Sequence, residues 1–186
     1  MTLPQEHNDR ELIALCQANN ELGYAALYKK YAVRIYNSIH RIVAHTGEAE
    51  DILQETFVAF FKEINRLNNI LNLEAWIKRI AINKSISYLR KKKIEFTDLG
   101  FTELEAEKDY DTEENEIFES KVGDVKKCIN ELPDGYRTIV TLYLFEQIPQ
   151  EEIGNMLGIS HNTVRTQYHR AKKKILSSLK DKSYYE

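Results

Sequence analysis

The chain has little of what breaks or staples a fold. Three prolines and seven glycines among 186 residues leave long stretches free to be helical. Alternating runs of Val, Ile and Thr are absent, so there is nothing from which to build a half-buried sheet. The two cysteines, Cys16 and Cys128, lie far apart in helical apolar patterns and read as buried free thiols of a cytosolic protein. No apolar run nears the ~20 residues that span a bilayer. The opening MTLPQEHNDRE also lacks the basic and apolar regions of a signal peptide. The expectation is a cytoplasmic protein without membrane insertion.

Chemistry is scarce as well. There is no phosphate-cradling glycine loop and no nucleophile elbow. The five histidines are scattered, and no Cys/His cluster has ligand spacing. The expectation is a protein that is not an enzyme, with no catalytic residue, no metal and no cofactor.

What is present is helical periodicity and segregated charge. Hydrophobic residues make up 42% of the chain, enough for packed cores, and the formal net charge is −3. That balance conceals blocks of one sign. Seven Lys/Arg and no acid lie between Lys78 and Lys93, whereas nine acids stand against Lys108 between Glu103 and Glu119. Between residues 161 and 180 there are six Lys/Arg and no acid. Two basic helical units flanking an acidic block give an all-α chain of two small helical domains, residues 1–93 and 121–182. A flexible acidic linker, 94–120, joins them.

The most informative stretch is PQEEIGNMLGISHNTVRTQYHRAKKKI, 149–175. A short helix over Gln150–Leu157 starts behind Pro149 with Glu151 and Glu152 in its first turn, where the helix dipole favours acids. Gly158 stops it. Gly154 offers a small side at which a second helix could cross closely, and Ile159 plugs the turn. Ser160 is a good N-cap for the next helix. Val164, Tyr168, Ala171 and Ile175 give that helix an apolar back. Its other face carries Asn162, Arg165, Thr166, His169, Arg170 and Lys173. This is a helix-turn-helix in a four-helix, wing-free domain, with a face suited to a major groove and its phosphates. A helical hairpin with a solvated basic face is the bland alternative.

Earlier in the chain, Asp9 to Asn19 and Tyr24 to Ala44 read as helices, with Thr46-Gly47 as the break after the second. Glu48 to Ile64 is the clearest helix. It has one continuous apolar stripe through Ala49, Ile52, Leu53, Thr56, Phe57, Phe60, Phe61 and Ile64. Asp51, Gln54, Glu55 and Val58 form a second stripe beside it. On pattern alone a solvated face accounts for that stripe; an acidic docking face for a basic helical partner is the functional reading. An Asn-rich connection, Arg66–Leu73, leads to a helix over Leu73–Lys93. There Trp76, Arg79, Asn83 and Arg90 fall within an arc of about 60° at 100° per residue. An indole, an amide and two guanidiniums along one face make a surface for stacking and holding single-stranded nucleic acid. Trp76 taken alone reads equally as a core residue. Lys121 to Leu132 and Tyr136 to Phe145 resume helical spacing, with Pro133-Asp134-Gly135 as a turn between them.

The order of these parts resembles the RNA polymerase sigma factors of the sigma-70 family, extracytoplasmic-function subfamily. Three motifs carry the likeness. AEDILQETFVAFFKEI (49–64) resembles the family's polymerase-clamp helix. EAWIKRIAINKSISYLRKKK (74–93) resembles its promoter-melting and −10 segment. LPDGYRTIVTLYLFEQIPQEEIGNMLGISHNTVRTQYHRAKKKI (132–175) resembles its −35-binding domain.

The resemblance implies transcription initiation, with core RNA polymerase and promoter DNA as partners. It leaves room for an anti-sigma factor. It assigns Asp51, Gln54, Glu55 and Val58 to polymerase. Trp76, Arg79, Asn83 and Arg90 fall to the −10 strand, with an extruded base held near 66–73. Asn162, Arg165, Thr166, His169, Arg170 and Lys173 fall to the −35 duplex. His169, the pair His161-Asn162, and Lys84 at a position often apolar depart from the family's pattern. A stand-alone helix-turn-helix regulator is the alternative, and would need a sensory fold in 1–93. A third class is a protein-binding adaptor.

Overall fold

A computed structural model of the chain describes residues 8–66, 72–92 and 122–183. The described residues are helical, with no strand among them. The chain divides into two compact units, Met1–Leu89 and Arg90–Glu186. The expected acidic linker, 94–120, lies outside the described residues.

The first unit contains α1 (Asp9–Gln17), α2 (Glu21–Val43), α3 (Thr46–Glu63) with a single 3-10 turn (Ile64–Arg66) at its end, and all but the last two residues of α4 (Leu73–Lys91). Each start has a local cause. The Asn8 side chain accepts from Arg10 N–H at the head of α1, and Asn20 does the same for Leu22 N–H at the head of α2. α1 and α2 cross at Gly23, where a Cβ would sit 2.7 Å from Leu15 Cβ and 2.9 Å from the Cys16 backbone nitrogen. Asp9 then ties the two helices together. It accepts from the Tyr31 hydroxyl at 2.7 Å and pairs with Lys30 at 2.8 Å. Desolvation, with Asp9 beside it, pushes the Tyr31 phenol far above its ordinary range, so this donor stays protonated.

The break between α2 and α3 falls one step earlier than the glycine suggests. Ala44 adopts a left-handed conformation, φ 54°, and closes α2 through its N–H to His40 O. His45 is the N-cap of α3, with Nδ1 accepting from Glu48 N–H at 3.4 Å. Thr46 and Gly47 therefore open α3 rather than separate two helices.

α3 buries Ala49, Ile52, Leu53, Thr56, Phe57 and Phe60. Thr56 and Ser85 are fully buried hydroxyls, each donating to the carbonyl one turn back, Ile52 O and Ala81 O. α4 buries Leu73, Ile77, Ala81, Ile82, Ser85, Ile86 and Leu89. That wide band explains why its sequence shows no single stripe. Arg34 of α2 pairs with Glu74 at the start of α4, 2.8 Å apart.

The second unit contains α5 (Val122–Asn130), α6 (Asp134–Val140) continuing into a π turn (Thr141–Phe145), α7 (Gln150–Leu157) and α8 (His161–Ser183). Its core joins Val125, Cys128, Ile129 and Leu132 to Val140, Ala171, Ile175 and Leu179. Pro133 is the N-cap of α6, and Asp134 and Gly135 lie in its first turn. The expected turn is thus the start of a helix, as suits a proline with fixed φ and an acid behind it. Arg137, nearly fully buried, donates to Leu132 O at 2.8 Å and pairs with Asp134, which locks that start.

Candidate nucleic-acid and protein interfaces

Asp51, Gln54, Glu55 and Val58 are all exposed along one side of α3. Val58 keeps 54% of its surface in water, an unusual exposure for a valine beside a full core stripe. Three polar groups and an uncovered valine therefore share one ridge. Glu55 has a partner: Lys84 of α4 donates to its Oε2 at 2.9 Å. A pair 29 positions apart in sequence gives no periodic signal, so the sequence reading missed it.

On α4, Arg79, Asn83 and Arg90 are exposed. Trp76 is half-buried, and its indole meets the Phe60 ring edge-on with centroids 5.5 Å apart. Trp76 is thus neither fully core nor fully surface: it packs against Phe60 and keeps part of its area exposed. Ser87 is exposed in the same band and donates to Asn83 O at 2.8 Å. The sequence reading passed over it because serine carries neither charge nor ring. The expected base-holding connection, 66–73, includes residues 67–71, which lie outside the described residues.

The helix-turn-helix is built as its residues require. α7 ends at Gly158, φ 72°, and Ile159 N–H closes the turn on Gly154 O at 3.0 Å. A Cβ on Gly154 would lie 2.8 Å from the Ile159 carbonyl oxygen. The small residue admits the backbone of the turn itself rather than a crossing helix. Ser160 Oγ accepts from Thr163 N–H at 3.0 Å, which starts α8. Val164, Ala171 and Ile175 are buried, and Tyr168 is half-buried with its ring against Tyr143, 4.8 Å between centroids.

On the opposite face Asn162, Arg165, Thr166, His169 and Lys173 are exposed. Arg170 is half-buried at the edge of that face. Gln167, assigned to neither face by the sequence pattern, is buried. No group of three or more metal-ligating side chains occurs among the described residues. Cys16 is buried, and desolvation pushes its thiol up to about 11. No described helix is long and apolar enough to cross a membrane.

Two family models match this chain, Sigma-70 region 2 over residues 27–94 and Sigma-70, region 4 over residues 123–175. The RNA polymerase sigma factor SigV of Bacillus subtilis is 30% identical over 142 residues, which covers 74% of this chain and 80% of that protein. The chain belongs to the sigma-70 family of RNA polymerase sigma factors, in its extracytoplasmic-function branch.

Another relative, the ECF RNA polymerase sigma factor SigW of Bacillus subtilis, is 29% identical over 168 residues, 86% of this chain and 90% of that one. Among solved structures, the sigma factor RpoE of Bartonella quintana, in complex with the anti-sigma factor NepR, shares the fold. The TM-score is 0.52 at 20% identity, over 84% of this chain and 96% of that chain. As a sigma factor the chain is a transcription initiation factor, and its partners are core RNA polymerase and promoter DNA. α3 and α4 lie within the region 2 match, and the helix-turn-helix lies within the region 4 match. A stand-alone regulator is not favoured.

Proposed function

We propose that three exposed faces divide the work of initiation. Residues 1–93 form the core-binding and −10 domain, 94–120 the linker and 121–182 the −35 domain. Asp51, Gln54, Glu55 and Val58 dock on a basic helical surface of polymerase, where acids provide steering and the bare valine provides burial. Arg79, Asn83 and Arg90, with Ser87 beside them and the Trp76 ring at the end of the band, hold the −10 strand after it separates. Unpairing costs a few kcal/mol per base. Stacking on an aromatic ring returns about 1–3 kcal/mol per base. Asn162, Arg165, Thr166, His169, Arg170 and Lys173 meet the −35 duplex, bases and phosphates together.

The observation that carries this reading is the exposure of most of these polar side chains on helices whose other sides are packed into cores. On α3 the ridge stays in water while Ile52, Leu53, Thr56 and Phe57 between its members are buried. The protein acts in the cytoplasm, on polymerase, and carries no catalytic group, metal or cofactor of its own. An anti-sigma factor that masks one of these faces is a natural second partner; the Bartonella quintana protein is itself in complex with an anti-sigma factor, NepR. Gel shifts of promoter fragments across a salt series, with and without core polymerase, test the proposal. Specific binding should require core enzyme. Tight specific binding by the isolated chain at physiological salt would reject it.

A further inference from the structure

We infer that Ile80 is a specificity-determining residue of the −10 surface: with Trp76 it forms an apolar seat that selects thymine by the methyl group on its base. This rests on the reading of α4 as the −10 face and deepens it. The seat follows from helix geometry. At 100° per residue, Ile80 lies about 40° round α4 from Trp76, about 20° from Ser87 and about 60° from Asn83. Trp76, Ile80, Asn83 and Ser87 therefore follow one another, at spacings of four, three and four, along one outward seam. Arg79 stands about 100° from Ile80, at the edge of the seam. A guanidinium placed there meets a phosphate and leaves the bases over the seam itself.

The seam has two halves of different chemistry. Its first half is a ring and a branched alkyl group, and its second an amide and a hydroxyl. Both apolar members are half-buried, so the fold holds each in place while part of its area stays in water. Phe60 meets the indole edge-on with centroids 5.5 Å apart, which orients the ring before any strand arrives. In the second half Ser87 Oγ donates to the Asn83 backbone carbonyl at 2.8 Å, and that bond leaves the Asn83 side-chain amide to a base.

The two halves read bases by different means. An amide distinguishes them by donors and acceptors. A ring alone does not, because every base has a π-face to stack. What a branched alkyl group adds beside the ring is contact with a methyl group, and thymine is the DNA base that carries one. The base seated at Trp76 and Ile80 is therefore a thymine, chosen by shape and burial rather than by hydrogen bonds.

The test uses holoenzyme and a promoter probe whose −10 region is held open by mismatches. Thymines of the open strand are replaced one at a time by deoxyuridine, which removes the methyl group and nothing else. The wild type should lose roughly fourfold in affinity at one position, the worth of one buried methyl group. Ile80→Ala should bind the thymine and deoxyuridine probes alike at that position. Ile80→Val, one methylene shorter, should fold and lower the ratio part-way; it decides the matter if Ile80→Ala does not fold. Asn83→Ala should weaken binding to both probes and keep their ratio. A wild type indifferent to every replacement overturns the thymine seat. So does an unchanged ratio in the folded Ile80 variants, including one in which both affinities fall together, the mark of a merely structural residue. A wild-type holoenzyme that fails to bind the open probe overturns instead the −10 reading on which this inference rests.

Discussion

The Phe60 ring of α3 meets the Trp76 indole of α4 edge-on at a centroid distance of 5.5 Å. Phe60 is fully buried and Trp76 half-buried, so the pair stands at the border of core and surface. One residue consequently has two duties, supporting α4 against α3 and presenting a ring beside Arg79 and Asn83. Deleting the ring confounds them. Trp76→Ala should cost less than the about 3–5 kcal/mol typical of a buried large aromatic, because the residue is only partly buried. Trp76→Phe keeps the edge contact and should melt near wild type. Asn83→Ala, an exposed change, should leave the melting temperature unchanged. Trp76→Ala and Asn83→Ala should retain core binding and lose permanganate reactivity of −10 thymines, with partial recovery on a pre-melted template. Full promoter opening by Asn83→Ala together with an unfolded Trp76→Phe would make the band structural.

Charge reversal on α3 separates a docking ridge from a solvated one. Glu55→Arg would set two cations against each other at Lys84, so Asp51→Arg with Gln54→Arg is the cleaner change. Both positions are exposed, and the helical circular dichroism spectrum should be unaltered. Core binding should fall markedly, since like charges would face a basic partner. Unchanged affinity in a pull-down would remove the ridge from the interface.

The α8 face distinguishes bases from phosphates. Arg165 and Arg170 stand at the two edges of the polar side, Arg165 exposed and Arg170 half-buried. Arg165→Ala should cost about 1–3 kcal/mol and relax preference at one −35 position, the signature of a base contact. Arg170→Ala should weaken all −35 sequences alike and lower the salt slope, as a phosphate contact does. A randomised −35 library bound by holoenzyme reports both. Wild-type behaviour from both variants would reject α8 as the reading helix.

Gly154 tests the turn that aims α8. A methyl group there would press on the Ile159 carbonyl oxygen at 2.8 Å, a backbone atom that cannot swing aside. Gly154→Ala should therefore destabilise the second unit by about 1–3 kcal/mol, the usual range for overpacking. Core binding through α3 should persist while −35 protection is lost. A variant with wild-type melting and wild-type protection would contradict the close approach.

Much of this was legible because helix faces repeat. Ile52, Phe57 and Phe60 on α3, and Val164, Ala171 and Ile175 on α8, are buried where their spacing places them. So are the turn at Gly158 and the cap at Ser160, which rest on local chemistry. The differences arise where local signals are ambiguous. Gly47 looked like a breaker, but Ala44 took the left-handed conformation and His45 the cap, so the glycine fell inside a helix. Pro133-Asp134-Gly135 carries the residues of a turn and equally those of a helix start; Arg137, buried against Leu132 O, decided for the helix. Tertiary pairs left no trace in periodicity. Neither Glu55 with Lys84 nor Phe60 with Trp76 could be read before the helices were packed.

The central claim is that this chain confers promoter choice on core polymerase and does not choose promoters alone. The direct measurement is transcription start-site mapping on a library of genomic fragments. Core enzyme is supplied without the chain, with it, and with its Asn83→Ala variant. The account predicts a set of starts that appear only with the chain, share one −35 and one −10 sequence, and fade with Asn83→Ala although the holoenzyme still forms. Starts that do not depend on the chain, alongside selection of the same fragments by the chain in the absence of polymerase, would contradict it.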